Sequence, residues 1–248
     1  RYMQLLILAA GFGGRLSPAT DETPKALLEV SEGITILDLQ LDAARKAGIN
    51  KIHIVVGFEA GKIEKKIREE KFKDLKIVTH YNPFYGETNN LVSLWMARTI
   101  MNQDFIMLNG DSVFRPKILQ TLLNSEEQIT VMIAKKSAYD SDDTKLKLHN
   151  GLIKKLSKKL PSDEIDAEWI GMCSIKGDSR ELFLRQLERL IRVPSMLKGH
   201  PHYLSVFQEL ANRNTPLNTI EITSDTWHEV DYQMDLDFIR AHITRYLD

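Results

Sequence analysis

One cysteine, Cys173, stands in 248 residues, which excludes an internal disulfide framework and points to a reducing compartment. Cytoplasm is the expected location. Lys and Arg together number 33 against 34 Asp and Glu, a net charge of -1. Without a basic excess, general nucleic-acid binding through counterion release is excluded, and any basic site must be local. Long hydrophobic runs are also lacking. LLILAA, at Leu5–Ala10, is too short to cross a bilayer and leads into glycines rather than a cleavage site, so it reads as a strand. No membrane partner is expected. Internal repeats, low-complexity stretches and linker-like segments are absent, which makes one domain over residues 1–248 the simplest organisation.

What is present is an alternation of strand and helix. Met3 to Ala10 is almost wholly apolar, as a strand buried on both faces of a parallel sheet requires. Thr35 to Ala47 has apolar residues near helical spacing and is stopped by Gly48. Ile52–Val56 reads as the next strand, Ala60–Lys71 as an exposed helix and Lys76–Thr79 as a short strand. The series continues with a helix at Leu91–Ile100, a strand at Phe105–Leu108, a helix opened by Pro116 and a strand at Ile129–Ala134. This order predicts an α/β protein with a Rossmann-like, doubly wound, mostly parallel sheet. Lys145–Leu148 and Leu152–Leu156 flank an Asn150-Gly151 turn, which predicts an inserted antiparallel ribbon. A strand at Trp169–Ile175, helices at Ser179–Ile191 and Tyr203–Ala211, a strand at Asn218–Ile222 and an amphipathic helix over Met234–Tyr246 complete the chain.

Most of the chemistry lies in LAAGFGGRLSPATDETPKALLEV, Leu8 to Val30. Gly11, Gly13 and Gly14 let the backbone turn sharply after the first strand and bring bare N–H groups to an anion. Arg15 adds a fork of donors for phosphate oxygens, and Lys25, after Pro24, adds a point charge from the other arm of the loop. Together they form a clamp for a polyphosphate. Two better-known glycine loops are excluded. Walker A needs Gly-Lys before Ser or Thr, which the loop lacks. The dinucleotide fingerprint needs a third glycine where Leu16 stands and an acidic residue where Val56-Gly57 stands, which argues against a dehydrogenase.

The same string resembles the LAAGxGxRLxPxTxxxPKxLLxV signature of sugar-phosphate nucleotidyltransferases, a Rossmann-like family of GT-A type. NPFYGETNNLVSLWMAR, at Asn82–Arg98, and TWHEVDYQMDLDFI, at Thr226–Ile239, are similar to segments of its small cytidylyltransferase branch. That branch includes enzymes for phosphocholine, phosphonates, inositol 1-phosphate and phosphoglutamine. The resemblance follows the chain in order, strongly to about residue 115 and loosely from 135 to 225, where acceptor specificity is expected. It implies transfer of CMP from CTP to a small phosphorylated or phosphonylated metabolite with release of pyrophosphate, supplying precursors of cell-surface polysaccharide or lipid. It also implies that Leu8, Ala9, Ala10, Gly11, Gly13 and Gly14 hold the nucleotide and that Arg15 and Lys25 are catalytic.

Phe105–Leu108 runs into Asn109-Gly110-Asp111, setting a carboxylate at the C-terminal end of a strand, where ligands gather in open α/β sheets. In the family an aspartate here serves Mg²⁺ and nucleotide, and a second comes from a hydrophobic-Glu-hydrophobic-Asp segment that Glu229-Val230-Asp231 matches. The resemblance thus implies Mg²⁺ on Asp111 and Asp231, hard oxygen ligands suited to it. Taken as plain sequence, either aspartate also suits a turn or a helix cap. A phosphate monoester has its second pKa at about 6 and is largely dianionic at neutral pH. No general base is then needed, and the seven histidines need form no constellation. His200 and His202 read as surface residues.

Asn89 and Asn90 either read a pyrimidine edge or cap the helix that follows. The family sets a lysine after the inserted ribbon to meet the acceptor's phosphate. Of Lys154, Lys155, Lys158 and Lys159, Lys158 matches best by spacing from Gly151, while each also suits a solvated charge run. Glu168, just before Trp169, suits a primary amine on the acceptor. A choline headgroup would want an aromatic cage, for which Tyr85, Trp95, Trp169 and Trp227 are candidates although most read as core. Two rival functions are a sugar-1-phosphate uridylyl- or thymidylyltransferase and a non-catalytic nucleotide-sensing subunit. Retention of Arg15, Lys25, Asp111 and Asp231 together argues against the second. Lys25 is expected in a loop, so its removal should leave folding nearly unchanged.

Overall fold

The computed structural model describes residues 2–199 and 202–248. The LLILAA run forms β1 (Gln4–Ala9), and its apolar character has a direct cause. Leu6 and Leu8 enter one core, Leu5 and Ile7 another, because helices cover both faces of the sheet. A small antiparallel pair, β2 (Glu29–Ser31) and β3 (Ile34–Thr35), leads into α1 (Ile36–Lys46). A capping box starts that helix, Thr35 accepting from the Asp38 N–H and Asp38 from the Thr35 N–H. Next come β4 (Lys51–Val56), α2 (Ala60–Lys66), β5 (Lys76–Tyr81), α3 (Asn90–Met96), β6 (Phe105–Asn109) and the short β7 (Ser112–Phe114). After α4 (Lys117–Leu123) and β8 (Ile129–Ala134), the ribbon β9 (Lys145–His149) and β10 (Leu152–Ser157) turns through Asn150 and Gly151, both at positive φ. The chain ends with β11 (Ala167–Ile175), α5 (Ser179–Ile191), α6 (Pro194–Lys198), α7 (Leu204–Asn212), β12 (Asn218–Ile222), β13 (Trp227–Glu229) and α8 (Gln233–Ala241).

The main sheet has the order β5-β4-β1-β6-β11-β8-β12-β10-β9. Strands β5, β4, β1 and β6 are parallel, the expected doubly wound half. Beyond them β11 runs antiparallel to both neighbours, β12 pairs parallel with β8, and the ribbon closes the far edge. Besides α3, which ends at Met96 and gives way to a 3₁₀ turn at Arg98–Asn102, two expected helices are shorter than their patterns suggest. The segment after α2 tightens into a 3₁₀ turn at Glu70–Phe72 that tucks Phe72 into the core. After α8 a second 3₁₀ turn, Ile243–Tyr246, sends Tyr246 inward. In both places one buried aromatic outweighs continuation of the helix. A third core of Leu16, Val30, Ile36, Val113, Val230 and Leu236 ties the glycine loop to β7, the end of β13 and α8.

Candidate active site

The glycine loop leaves the C-terminal end of β1. Gly13 adopts φ +63°, and an added Cβ would lie 3.3 Å from both Thr20 and Lys25, so only glycine lets the loop close over these residues. Thr20 Oγ1 donates to the Gly13 carbonyl at 2.7 Å, while Leu16 anchors the loop in the third core. Pro24 precedes a 3₁₀ turn that holds Lys25. The neighbouring strand β6 ends beside it: Gly110 N–H donates to Leu8 O at 2.9 Å, and Val230 N–H to Asp111 O at 2.9 Å. Pairing of β13 with β7, Glu229 opposite Ser112, returns the distant segment to the same edge.

Asp111 and Asp231 are therefore brought together, with Glu229 as a third carboxylate; one oxygen from each lies within 4.8 Å of the others. Lys25 Nζ bridges them, donating to Asp111 Oδ2 at 3.2 Å and Asp231 Oδ1 at 3.1 Å. Burial pulls the Lys25 pKa down, but the two aspartates outweigh it and hold it above its ordinary value. Burial, reinforced by Asp111 and Asp231, pushes Glu229 well above the usual carboxylate range. Asp111 Oδ1 is buried with no hydrogen-bond partner among the described residues. This donor set, all hard oxygen with one acceptor left over and an ammonium between two others, fits a divalent cation such as Mg²⁺.

Around this cluster lies a cleft of about 540 Å³ lined by Leu8, Ala9, Gly11, Gly13, Gly14, Arg15, Lys25, Asn89, Asn90, Asp111, Lys158 and Asp231. Ala10 instead lines an adjoining recess of about 100 Å³ with Tyr85, Thr88, Asn89 and Asn90. Both readings of the asparagine pair survive: Asn89 Oδ1 accepts the Asn90 N–H at 2.7 Å as a cap for α3, and both residues face the cleft. Of the four ribbon lysines, Lys158 is the one that lines it; Lys155 pairs with Glu164.

A second chamber of about 520 Å³ shares Glu229 and Asp231 with the first. Glu168 lies there, 3.4 Å from Lys136, which also pairs with Asp143 at 2.6 Å. Burial, aided by Asp143 and opposed by Lys136, raises the Glu168 pKa to about 7. Arg15 spans the boundary: its Nη1 donates to Asp142 Oδ2 at 2.7 Å and Tyr232 Oη at 3.3 Å. The Tyr232 hydrogen bond, with Asp231 and Asp142, raises the Arg15 pKa against the cost of burial.

Three expectations need correction. Trp169 lines neither chamber; its ring packs 4.8 Å from Phe207 in the core, as the strand-facing aromatics do. His202 is not a surface residue. It faces the cleft, 2.9 Å from Asn90 Nδ2, and burial plus Lys158 push its pKa down to about 3. His200 lies outside the described residues. Lys25 is no free loop residue, being locked into the carboxylate cluster. Glu229, Asn109, His202 and Tyr203 are the contributors that sequence reasoning missed; only the Glu229-x-Asp231 alternation carried a signal, since strand residues two apart share a face.

Residues 4–146 match the nucleotidyl transferase family. The chain belongs to that family. It is 28% identical to the CTP:phosphoglutamine cytidylyltransferase of Campylobacter jejuni, over 95% of this chain and 98% of that one. To the choline-phosphate cytidylyltransferase of Streptococcus pneumoniae it is 30% identical over half of each chain, 50% and 51%. Among solved structures, the CTP:phosphocholine cytidylyltransferase from Streptococcus pneumoniae aligns with a TM-score of 0.76 at 19% identity, covering 98% of this chain and all of that one. The inositol-1-phosphate CTP transferase from T. maritima aligns at 0.80 and 19%, covering 99% and 96%. These likenesses establish the nucleotidyltransferase fold, and the protein is a nucleotidyltransferase. No described helix is long and apolar enough to cross a membrane.

Proposed function

We propose that this nucleotidyltransferase moves CMP from CTP to a small phosphorylated or phosphonylated acceptor of the phosphoglutamine, phosphocholine, aminoethylphosphonate or inositol 1-phosphate type, releasing pyrophosphate. The whole chain serves as one catalytic domain, working in the cytoplasm. The observation that carries this reading is the convergence of glycine loop, Arg15, Lys25 and three carboxylates on one cleft, in a chain similar along 95% of its length to a CTP-dependent relative. Asp111, Asp231 and Glu229 are the residues that would hold Mg²⁺. When bound, the ion supplies positive charge to the nucleotide's phosphates and the departing pyrophosphate.

The rest belongs to the chain's own groups. Backbone N–H groups of Gly11 to Gly14 cradle the polyphosphate, and Arg15 and Lys25 neutralise charge that grows on the α-phosphate and leaving group. Lys158 receives the acceptor's anionic end and sets one oxygen in line with the α-phosphorus, where proximity supplies much of the rate. That oxygen forms the new P–O bond as the bond to pyrophosphate breaks, and a dianionic acceptor needs no base.

The second chamber favours acceptors that carry a cation. Asp140, Asp142, Asp143, Glu168 and Asp235 line it together with the two shared carboxylates, against the single lysine Lys136. The test is pyrophosphate release for each NTP against phosphocholine, aminoethylphosphonate, phosphoglutamine, inositol 1-phosphate and sugar 1-phosphates. CTP with an amine-bearing acceptor should be fastest. Preference for UTP or dTTP with a sugar phosphate would overturn the reading.

A further inference from the structure

Tyr203, at the start of α7, is only 1% exposed, yet it spends two polar groups on the asparagines of the nucleotide cleft. Its backbone N–H donates to Asn90 Oδ1 at 2.7 Å, and its hydroxyl donates to Asn109 Oδ1 at 3.0 Å. Asn90 begins α3; Asn109 ends β6, two residues before Asp111. Both line the cleft. A carboxamide has one accepting oxygen and one NH₂, so a donor fixed on the oxygen decides where the NH₂ points. Asn90 Nδ2 meets His202 Nε2 at 2.9 Å. For Asn109 Nδ2 no protein acceptor occurs among the described residues.

The Asn109 side chain packs over Gly171 of the neighbouring strand. Gly171 of β11 has φ +78°, and an added Cβ would stand 2.7 Å from Asn109 Nδ2. Only glycine leaves that space, so β11 confines the amide from one side.

We propose that Tyr203 is a positioning residue that locks the Asn109 amide, so that Asn109 presents its NH₂ as a fixed donor to a phosphate or phosphonate oxygen in the cleft. The terminal torsion of an asparagine is broad and roughly two-fold. Unrestrained, Asn109 would turn its carbonyl oxygen toward an anion about as readily as its NH₂. The hydroxyl of Tyr203 removes that alternative, and the same residue's N–H orients Asn90 at the opposite side of the cleft. This inference rests on the reading of the cleft as a site of transfer between phosphates.

Tyr203→Phe keeps the buried ring and the backbone N–H and removes only the hydroxyl. In substrate-free protein, the side-chain NH₂ signals of Asn109, assigned by their loss in Asn109→Ala, should shift in Tyr203→Phe while those of Asn90 stay. Unchanged Asn109 signals would overturn the lock. In turnover with CTP and the acceptor panel, Tyr203→Phe should lower kcat/KM about tenfold, the scale of one hydrogen bond to a charged group. In the Asn109→Ala background the same change should cost less than about twofold, because the hydroxyl acts through that amide. Equal losses in the two backgrounds would show a merely structural tyrosine and overturn the proposal. A wild-type protein that serves no acceptor in the panel counts against the proposed reaction, and the amide spectrum then decides the lock by itself.

Discussion

Lys25 stands where charge must be balanced whether or not a substrate is bound. Its ammonium lies between Asp111 and Asp231, with side chains only 17–21% exposed across the three, and Glu229 adds a third carboxyl to the group. Lys25→Met should reduce turnover about a hundredfold or more, the loss typical of one preorganised electrostatic donor. It should also destabilise the metal-free protein by about 2 kcal/mol, since truncating one partner leaves buried carboxylates unpaired. Added Mg²⁺ should raise the melting temperature of Lys25→Met more than that of wild type; an equal rise would show that lysine and cation do not share the site. Asp111→Asn and Asp231→Asn should each abolish most activity, and the double variant should be little worse than either single one, because both dismantle one cluster. Additive losses in steady-state kinetics would separate their roles. That Gly11, Gly13, Gly14, Arg15 and Lys25 meet at one cleft was legible because they are neighbours in sequence. Lys25's structural role was not, since its partners lie far along the chain and meet it only after β6 and β13 have taken their places.

At the scale of elements, the segment between β8 and β9 matters most for the cleft, because it carries Asp142 to Arg15. The pair is 46% and 41% exposed, so it is worth at most about 1 kcal/mol. In the proposed reaction Arg15 exchanges this carboxylate for a phosphate oxygen. Asp142→Ala should therefore lower the KM for CTP by up to about fivefold, and a raised KM would mean that Asp142 holds Arg15 in its working position. Elements with long, regular patterns were readable: β1, α1, β8, α5 and β12 lie where their periodicity placed them. So was the ribbon, through its Asn150-Gly151 turn. The acidic chamber was less readable, for a physical reason. Trp169 is core because β11 is covered on both faces, whereas Glu168 beside it alternates toward the acidic chamber; one strand thus supplies packing and chemistry at adjacent positions. His202 and Tyr203 lie before a helix with no distinguishing local pattern, and only their hydrogen bonds to Asn90 and Asn109 tie them to the cleft. Short apolar segments such as α6 carry too few residues to show a period at all.

For the molecule as a whole, buried ionisable groups set how stability responds to pH. Burial, with the charges of His80 and Lys51, lowers the His53 pKa to about 4, and burial with Lys158 lowers that of His202 to about 3. Both are neutral in the folded protein across pH 4.5 to 6.5, whereas the unfolded chain protonates them from about 6.5 downward. Their contribution is present above pH 6.5 and is lost as pH falls. Glu168 opposes them. Its folded pKa of about 7 exceeds the unfolded 4.5, so its contribution is present at low pH and is lost as pH rises from 4.5 through 7. In this window each of the two histidines adds about 1.4 kcal/mol per pH unit to the slope of stability, His80 acts in the same sense, and Glu168 subtracts from it, as does Glu229, whose pKa burial also raises. Above about pH 8 His53, His202 and Glu168 have the same charge in both states and no longer contribute to the slope. Urea titrations at half-unit steps from pH 4.5 to 8 measure the slope directly. Glu168→Gln should steepen the slope by about 1.4 kcal/mol per unit, because one opposing carboxyl is gone, while His53→Gln should lower it by about the same amount. A slope unchanged in both variants would mean that neither buried group governs the acid limb, and that the loss of stability in acid lies in the surface carboxylate pairs instead.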